Sequence, residues 1–262
     1  MRLDKFLAES SVGRRKIVRE YIKEGMVKVN GEIITEPAIE IDEINDTIHY
    51  LDKIIKHSGK VYSMLNKPAG YITARKDANN KTVFHCFKED ETMKNVFHVG
   101  RLDKDTEGLL LFSNDGEFEH KLMCPKKHVD KTYFFWALGS LNEENKKQLE
   151  QGIYIGKGEI LTKPAKIKIH KTGVYEDFKN EISIESLNNI NSKNYQQPIV
   201  SGYLTISEGR KHQVKRMLKA VGCYVVYLKR ISIGQLTLDQ NLKKGEYRPL
   251  TEMEIKTLME YN

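Results

Sequence analysis

The sequence predicts an α+β protein in two parts: a small module over residues 1–55 and a large domain over 61–262 built on a mainly antiparallel or mixed sheet, joined by a linker at 56–60. Three observations carry this prediction. A chain of 262 residues exceeds the usual single domain. Its front switches from helical periodicity to a hairpin signal, whereas from Val61 onward short apolar runs bounded by Gly, Pro, Asn or Asp recur to the end. Between the two, His57, Ser58 and Gly59 interrupt the pattern, and so short a connection leaves some freedom between the parts.

In the front module, Leu3, Phe6 and Leu7 share one face of a helix over Arg2 to Glu9. A second helix follows in RRKIVREYIKEG, with Ile17, Val18 and Ile22 as its expected buried positions and Gly25 as its stop. Val27 and Val29 then alternate into Asn30-Gly31, the strongest short hairpin signal, followed by Ile33, Ile34 and a further strand near Thr47 to Leu51. Arg2, Lys5, Arg14, Arg15, Lys16 and Arg19 crowd the helices, while Glu36, Glu40, Asp42, Glu43 and Asp46 come after them. One surface therefore suits phosphates, although an ordinary solvated helix face carries the same residue types. The run RLDKFLAESSVGRRKIVREYIKEGMVKVNG resembles the α-L, or S-four-type, RNA-binding domain of small-subunit ribosomal proteins. That resemblance implies RNA docking by the six basic residues and names no reaction.

Whole-chain composition agrees with such a partner. Lysine and arginine number 43 against 36 acidic residues, a net charge of +7 that attracts polyanions. No apolar run approaches the ~18 to 20 residues that cross a bilayer, and MRLDKFLAESS lacks a signal-peptide core. Cys86, Cys124 and Cys223 are odd in number and form no C-x-x-C pair, so neither a zinc site nor a disulfide framework is encoded. A reducing cytoplasm, no metal and no membrane are the expectations.

In the large domain, the runs VYSML, YITA, VFHVG, LLLFS, TYFFWAL, AKIKI, EISIE, YLTIS and YVVYL read as strands. Helical patterns intervene at Glu117 to Met123, Asn142 to Gln151 and Lys211 to Val221, and a last helix opens with the capping-box pattern Thr251-x-x-Glu254. Ser186 to Gln197, rich in Asn and Ser, reads as an exposed loop.

Chemistry concentrates in a few stretches. Asn66-Lys67-Pro68-Ala69-Gly70 is a rigid turn in which Lys67 could point at a phosphate. VGRLDKDTEGLLLFSNDGEF places Asp103 beside Arg101 in a loop ahead of an apolar strand, with Asp105 and Asp115 as rival carboxylates. A loop Asp is ordinarily a cap or turn former. In EGRKHQVKRML, Val214, Met217, Leu218 and Val221 make a buried stripe, so Lys211, Lys215 and Lys219 project from another face. Gly209 and Arg210 stand at that helix's start, where free backbone N–H groups suit an anion.

The order G-R-L-D-x-D-T-x-G-L-L, then S-N-D-G, then K-x-Y, then G-R-x-H-Q-V-K-R-M resembles the pseudouridine synthases, most closely the family of the small-subunit rRNA synthase A and its large-subunit relatives. The resemblance implies that Asp103 is the catalytic carboxylate, with Asp105 as loop scaffolding and Asp115 as a turn. It implies further that Tyr133 lays its ring on the target uracil, and that Lys215, or Arg216 next to it, pairs with Asp103. Arg101 is carried over as a substrate contact. Leu161 to Ala165, Lys229 to Gly234 and Gly245 to Leu250 look like family segments too, while the polar stretch Tyr175 to Gln197 is long for the family.

The implied reaction breaks an N-glycosidic bond, turns the uracil and rejoins the ribose through a ring carbon, with no redox step and no group donor. The sequence accordingly shows no Walker motif and no metal-ligand cluster, and no cofactor is expected. The expected substrate is ribosomal RNA or a pre-ribosomal particle, acted on by a monomer. Small-subunit rRNA is the first expectation and large-subunit rRNA the second. A non-catalytic ribosome-assembly factor would not need R-L-D, K-x-Y and H-Q-x-K together, and a nucleoside hydrolase would carry an acid-rich water-activating cluster.

Overall fold

The computed structural model describes all residues except 11, 56–58, 89, 125–126, 179–180, 182–195 and 262. Residues 56–58 of the expected linker and most of the polar stretch lie outside the described residues. Two compact units emerge. The first comprises Met1–Val61 with Glu89–Phe97 and Ser113–Asp115, and the second Tyr62–Lys88, His98–Phe112 and Gly116–Asn262.

The first unit opens with helices α1 (Leu3–Glu9) and α2 (Arg15–Lys23), followed by strands β1 (Val27–Val29), β2 (Glu32–Ile33), β3 (Ile48–Tyr50) and β4 (Lys53–Ile55). The sheet runs β2-β1-β3-β4 and is antiparallel throughout. Asn30 (φ 51°) and Gly31 (φ 89°) both take the left-handed backbone that the tight β1–β2 turn demands. Leu3, Phe6, Leu7, Val18, Ile22, Val27, Ile41 and Ile48 form one core. Ile17 does not join it and is 40% exposed, because Val18 and Ile22 occupy the buried face at i, i+4 and Ile17 lies a step around the helix.

The second unit continues with β5 (Tyr62–Lys67), β6 (Phe97–Val99), β7 (Glu107–Ser113), α3 (Gly116–Met123), β8 (Lys131–Leu138), α4 (Glu143–Gln151), β9 (Lys166–Val174), α5 (Tyr175–Phe178) and β10 (Pro198–Ile206). It ends with α6 (Gln213–Ala220), β11 (Tyr224–Ile233), β12 (Leu236–Thr237), β13 (Tyr247–Pro249) and α7 (Glu252–Met259). One mixed sheet runs β13-β5-β7-β11-β8-β10-β9, with β12 paired to β11 and β6 to β7. β11 runs antiparallel to β8 and parallel to β7. Every residue of β7 is buried, as befits a central strand covered on both faces. The capping box expected at Thr251 is formed, and Asn142 forms a further one at the start of α4.

The parallel seam is unusually close at one point. Gly108 pairs with Arg230 and has φ 99°, and a Cβ there would overlap the Arg230 carbonyl oxygen and stand 2.9 Å from its backbone nitrogen. Only glycine fits, and Arg230, on the far side of this seam, lines the cleft described next.

Candidate active site

The loop Arg101–Thr106, which feeds β7, is fixed by hydrogen bonds from its surroundings. Thr73 Oγ1 donates to the Leu102 carbonyl at 2.8 Å and accepts from the Leu102 amide at 3.1 Å. The Gly70 amide donates to the Lys104 carbonyl at 2.8 Å, and the Thr106 amide to the Asp103 carbonyl at 3.1 Å. Lys67, at the end of β5, has no exposed surface. Its Nζ donates to the carbonyls of Pro68 (3.0 Å), Lys104 (3.2 Å) and Thr106 (2.8 Å). The phosphate role expected for Lys67 is therefore corrected: an ammonium has three donors, and three backbone carbonyls use them all. Burial pushes this lysine down to about 8, against the pull of Asp105, Glu107 and Asp103.

Held this way, Asp103 opens onto a cleft of about 820 Å³, whose lining includes Arg101, Thr106, Lys131, Tyr133, His212 and Arg230. Asp103 Oδ1 stands 3.5 Å from His212 Nε2, and the Asp103 side chain is 30% exposed. Tyr133, on β8, is buried to 9% exposure and has Arg230 of β11 as its cross-strand partner. Arg101 is exposed at the same cleft.

The helix motif folds differently from its periodicity. His212 adopts φ 52°, a left-handed conformation costly for a non-glycine residue, and α6 starts only at Gln213. Lys211 therefore precedes the helix rather than sharing a face with Lys215 and Lys219. The Arg210 amide is not free for an anion either, since it donates to Gln213 Oε1 at 2.8 Å. Its guanidinium holds the carbonyls of Ile160 and Leu161 at 2.6 and 2.7 Å.

The partner expected for Asp103 is also corrected. Lys215 Nζ binds Asp105, at 2.5 and 2.6 Å from its two oxygens. Arg216 turns away to the Ile155 carbonyl and Glu159. The i, i+4 pattern fixed the face of α6 but not which carboxylate of the R-L-D-x-D loop that face would meet. Asp115 is buried with Lys60 Nζ at 2.9 Å.

Lys215→Met should accordingly lower turnover by loosening the Asp105 end of the loop, roughly tenfold for one charged hydrogen bond lost. Single-turnover rates on rRNA transcripts check this. An equal loss in Asp105→Asn would fit a shared contact, and a silent Lys215→Met would reject it.

Arg230, Lys131 and His212 also line the cleft, and the sequence alone did not mark them as site residues. Arg230 is 1% exposed on β11, and a pair of charged residues, Lys229 and Arg230, inside a strand otherwise built largely of apolar and aromatic residues was the available signal. His212 belongs to the H-Q-V-K motif, but its place beside Asp103 depends on its left-handed backbone.

In the first unit, Asp4 is fully buried and collects three guanidinium groups: Arg2 at 3.0 Å, Arg15 at 3.0 Å and Arg19 at 3.3 Å. Burial alone would raise the Asp4 carboxyl, but the Arg15 and Arg2 hydrogen bonds and charges outweigh it and hold it below the usual range. Lys5 lies 3.9 Å from Glu9, whereas Arg14 and Lys16 are exposed and in no ion pair among the described residues.

Residues 61–220 match the model of the RNA pseudouridylate synthase family, and residues 1–48 match the S4 domain. An uncharacterized RNA pseudouridine synthase of Bacillus subtilis is 41% identical over 260 residues, 99% of each chain. The ribosomal small subunit pseudouridine synthase A of Haemophilus influenzae is 37% identical over 99% of this chain and 100% of its own, and that of Escherichia coli K12 is 36% identical over the same shares. A crystal structure of a pseudouridylate synthase superposes with a TM-score of 0.64 at 36% identity, covering 98% of this chain and 99% of the other. Fold, cleft and full-length likeness together make this chain a member of the RNA pseudouridylate synthase family, with an S4 domain at its front.

Proposed function

We propose that the protein isomerises one uridine of small-subunit ribosomal RNA, with Asp103 as its catalytic carboxylate and Tyr133 as the surface on which the uracil turns. The observation that carries this reading is that both residues line one cleft, Asp103 on a loop pinned from three sides. Breaking the bond between the sugar and uracil develops positive charge at the anomeric carbon, and a carboxylate beside it stabilises that charge. A flat, mostly buried tyrosine holds the loose base by stacking. The target atoms lie within stacked RNA, so the nucleotide is flipped out at a cost of a few kcal/mol, offset by phosphate contacts and stacking. Arg101, exposed at the cleft, supplies such a contact.

Residues 1–55 act as the RNA-docking module and 61–262 as the catalytic body, linked through 56–60. The protein works as a monomer in the cytoplasm on rRNA or a pre-ribosomal particle. Among the described residues no helix is long and apolar enough to cross a membrane.

Pseudouridine mapping across both rRNAs of a strain lacking the gene tests the target. Loss of a single small-subunit pseudouridine, restored by the wild-type gene but not by Asp103→Asn, is the expected result. A site lost from the large subunit instead would move the substrate assignment.

The docking surface has its own test. Arg14 and Lys16 have no carboxylate partner among the described residues, so replacing both with Ala should shrink the slope of log affinity against log salt by roughly one to two. Single-turnover rates at saturating RNA should be unchanged. An unaltered slope would place both side chains in solvent.

A further inference from the structure

Arg230 is the bulkiest fully buried side chain among the described residues. Its Nε donates to the Leu109 carbonyl at 2.8 Å, yet its Nη2 is buried with no hydrogen-bond partner among the described residues. An unpaired buried donor on a cation is costly enough that such atoms are rarely left idle. Lys131, 9% exposed on β8, lines the same cleft and donates only to the Val129 carbonyl at 2.9 Å. Burial first, and then the Arg230 charge, push Lys131 down to about 8, with Asp130 pulling the other way. No carboxylate pairs with Lys131 or Arg230 among the described residues. Thr106 Oγ1, also in the lining, is likewise buried and unpartnered. Two like charges and a spare hydroxyl are thus held at the cleft floor, next to the strand position of Tyr133.

We infer that Arg230, with Lys131 beside it, is a catalytic anion site for the detached uracil, receiving the negative charge the base carries once its bond to the sugar has broken. The inference rests on the reading of this cleft as the uridine site. When the bond between C1′ and N1 breaks, its electron pair leaves with N1, and the charge spreads onto the O2 and O4 oxygens. C5 then bonds to C1′, the C5 proton is released and N1 takes one up, so atoms balance without a co-reactant. Preorganised donors aimed at an oxygen where charge develops are among the strongest catalytic devices. A phosphate would instead meet the exposed cations Arg101 and Lys211 at the rim, not an arginine with 1% exposure.

The test uses equilibrium binding of free bases to the full-length protein: 5-nitrouracil, anionic at neutral pH, against uracil, neutral there, with inorganic phosphate as competitor. The wild-type protein should prefer 5-nitrouracil. Arg230→Met and Lys131→Met should each cut that preference roughly tenfold or more, and Arg230→Lys should restore part of it. Thermal unfolding identifies any variant that fails to fold, in which case Lys131→Met carries the test. Equal affinity for the two bases in the wild type, or a preference that survives Lys131→Met and Arg230→Met, would overturn the assignment. So would displacement of 5-nitrouracil by inorganic phosphate, which would make this a phosphate site.

Turnover gives an independent readout. On RNA carrying 5-fluorouridine, whose base leaves more readily but whose C5 has no proton to release, Arg230→Met should lose less of its single-turnover rate of glycosidic-bond cleavage than on uridine RNA. A purely structural role would slow both alike. Base binding needs no turnover, so failure of the wild-type protein to modify rRNA would count against the proposed function and leave the anion site readable.

Discussion

Asp103→Asn is expected to lower pseudouridine formation on rRNA by about 10³-fold or more while leaving fold and RNA affinity unchanged. The substitution is nearly isosteric and removes only the charge. The Asp103 backbone carbonyl, which accepts from Thr106, is untouched, and so are the Thr73 and Lys67 contacts that hold the loop. Its side chain is partly exposed, with His212 3.5 Å away, so no buried network collapses on substitution. Pseudouridine content after single turnover, measured beside a binding isotherm, separates the two effects. Turnover within a few-fold of wild type would hand the role to another residue, with Asp105 the first to test.

Gly108→Ala is expected to be strongly damaging for a single-methyl substitution. The new methyl would overlap the Arg230 carbonyl oxygen across the parallel seam, at φ 99°, where side-chain-bearing residues are strained. Neither strand can yield easily, because β7 is buried along its whole length and β11 is held on its other side by β8. A loss of about 3 kcal/mol or more is expected from urea unfolding, with no change in the denaturant slope. Parting the seam would also displace Arg230, so residual folded protein should show weakened 5-nitrouracil binding. A variant as stable as the parent would mean that β7 and β11 separate without penalty.

Much of this architecture was legible in the sequence, and the gaps have physical causes. Alternation, turn residues and the Thr251 capping box are local signals, and they located the Asn30-Gly31 hairpin, the strands on either side of the R-L-D loop and the last helix. Ile17 was misplaced because three apolar residues compete for a buried face that two can fill. Choice of partner is not local at all. Lys215 could have met Asp103 or Asp105, two residues apart, and only the packing of α6 against the loop decides for Asp105. Lys67 looked like a surface cation because a turn motif does not reveal that three carbonyls converge beneath it. His212 hid the true start of α6, since a left-handed non-glycine residue leaves no mark in periodicity.

The cleft is also a matter of timing. Its lining is drawn from residues 98–106, 119–133, 206–214 and 228–230, so nothing resembling a reaction chamber exists until the chain has been made through β11. The core of the S4 unit, by contrast, closes among residues 3 to 48. Domains form as units from the N-terminus during synthesis, and close-in-sequence contacts form fastest. A growing chain therefore acquires its grip on RNA well before it acquires chemistry. A truncated product released early would be a binder without turnover, a competitor for the site its complete sibling modifies.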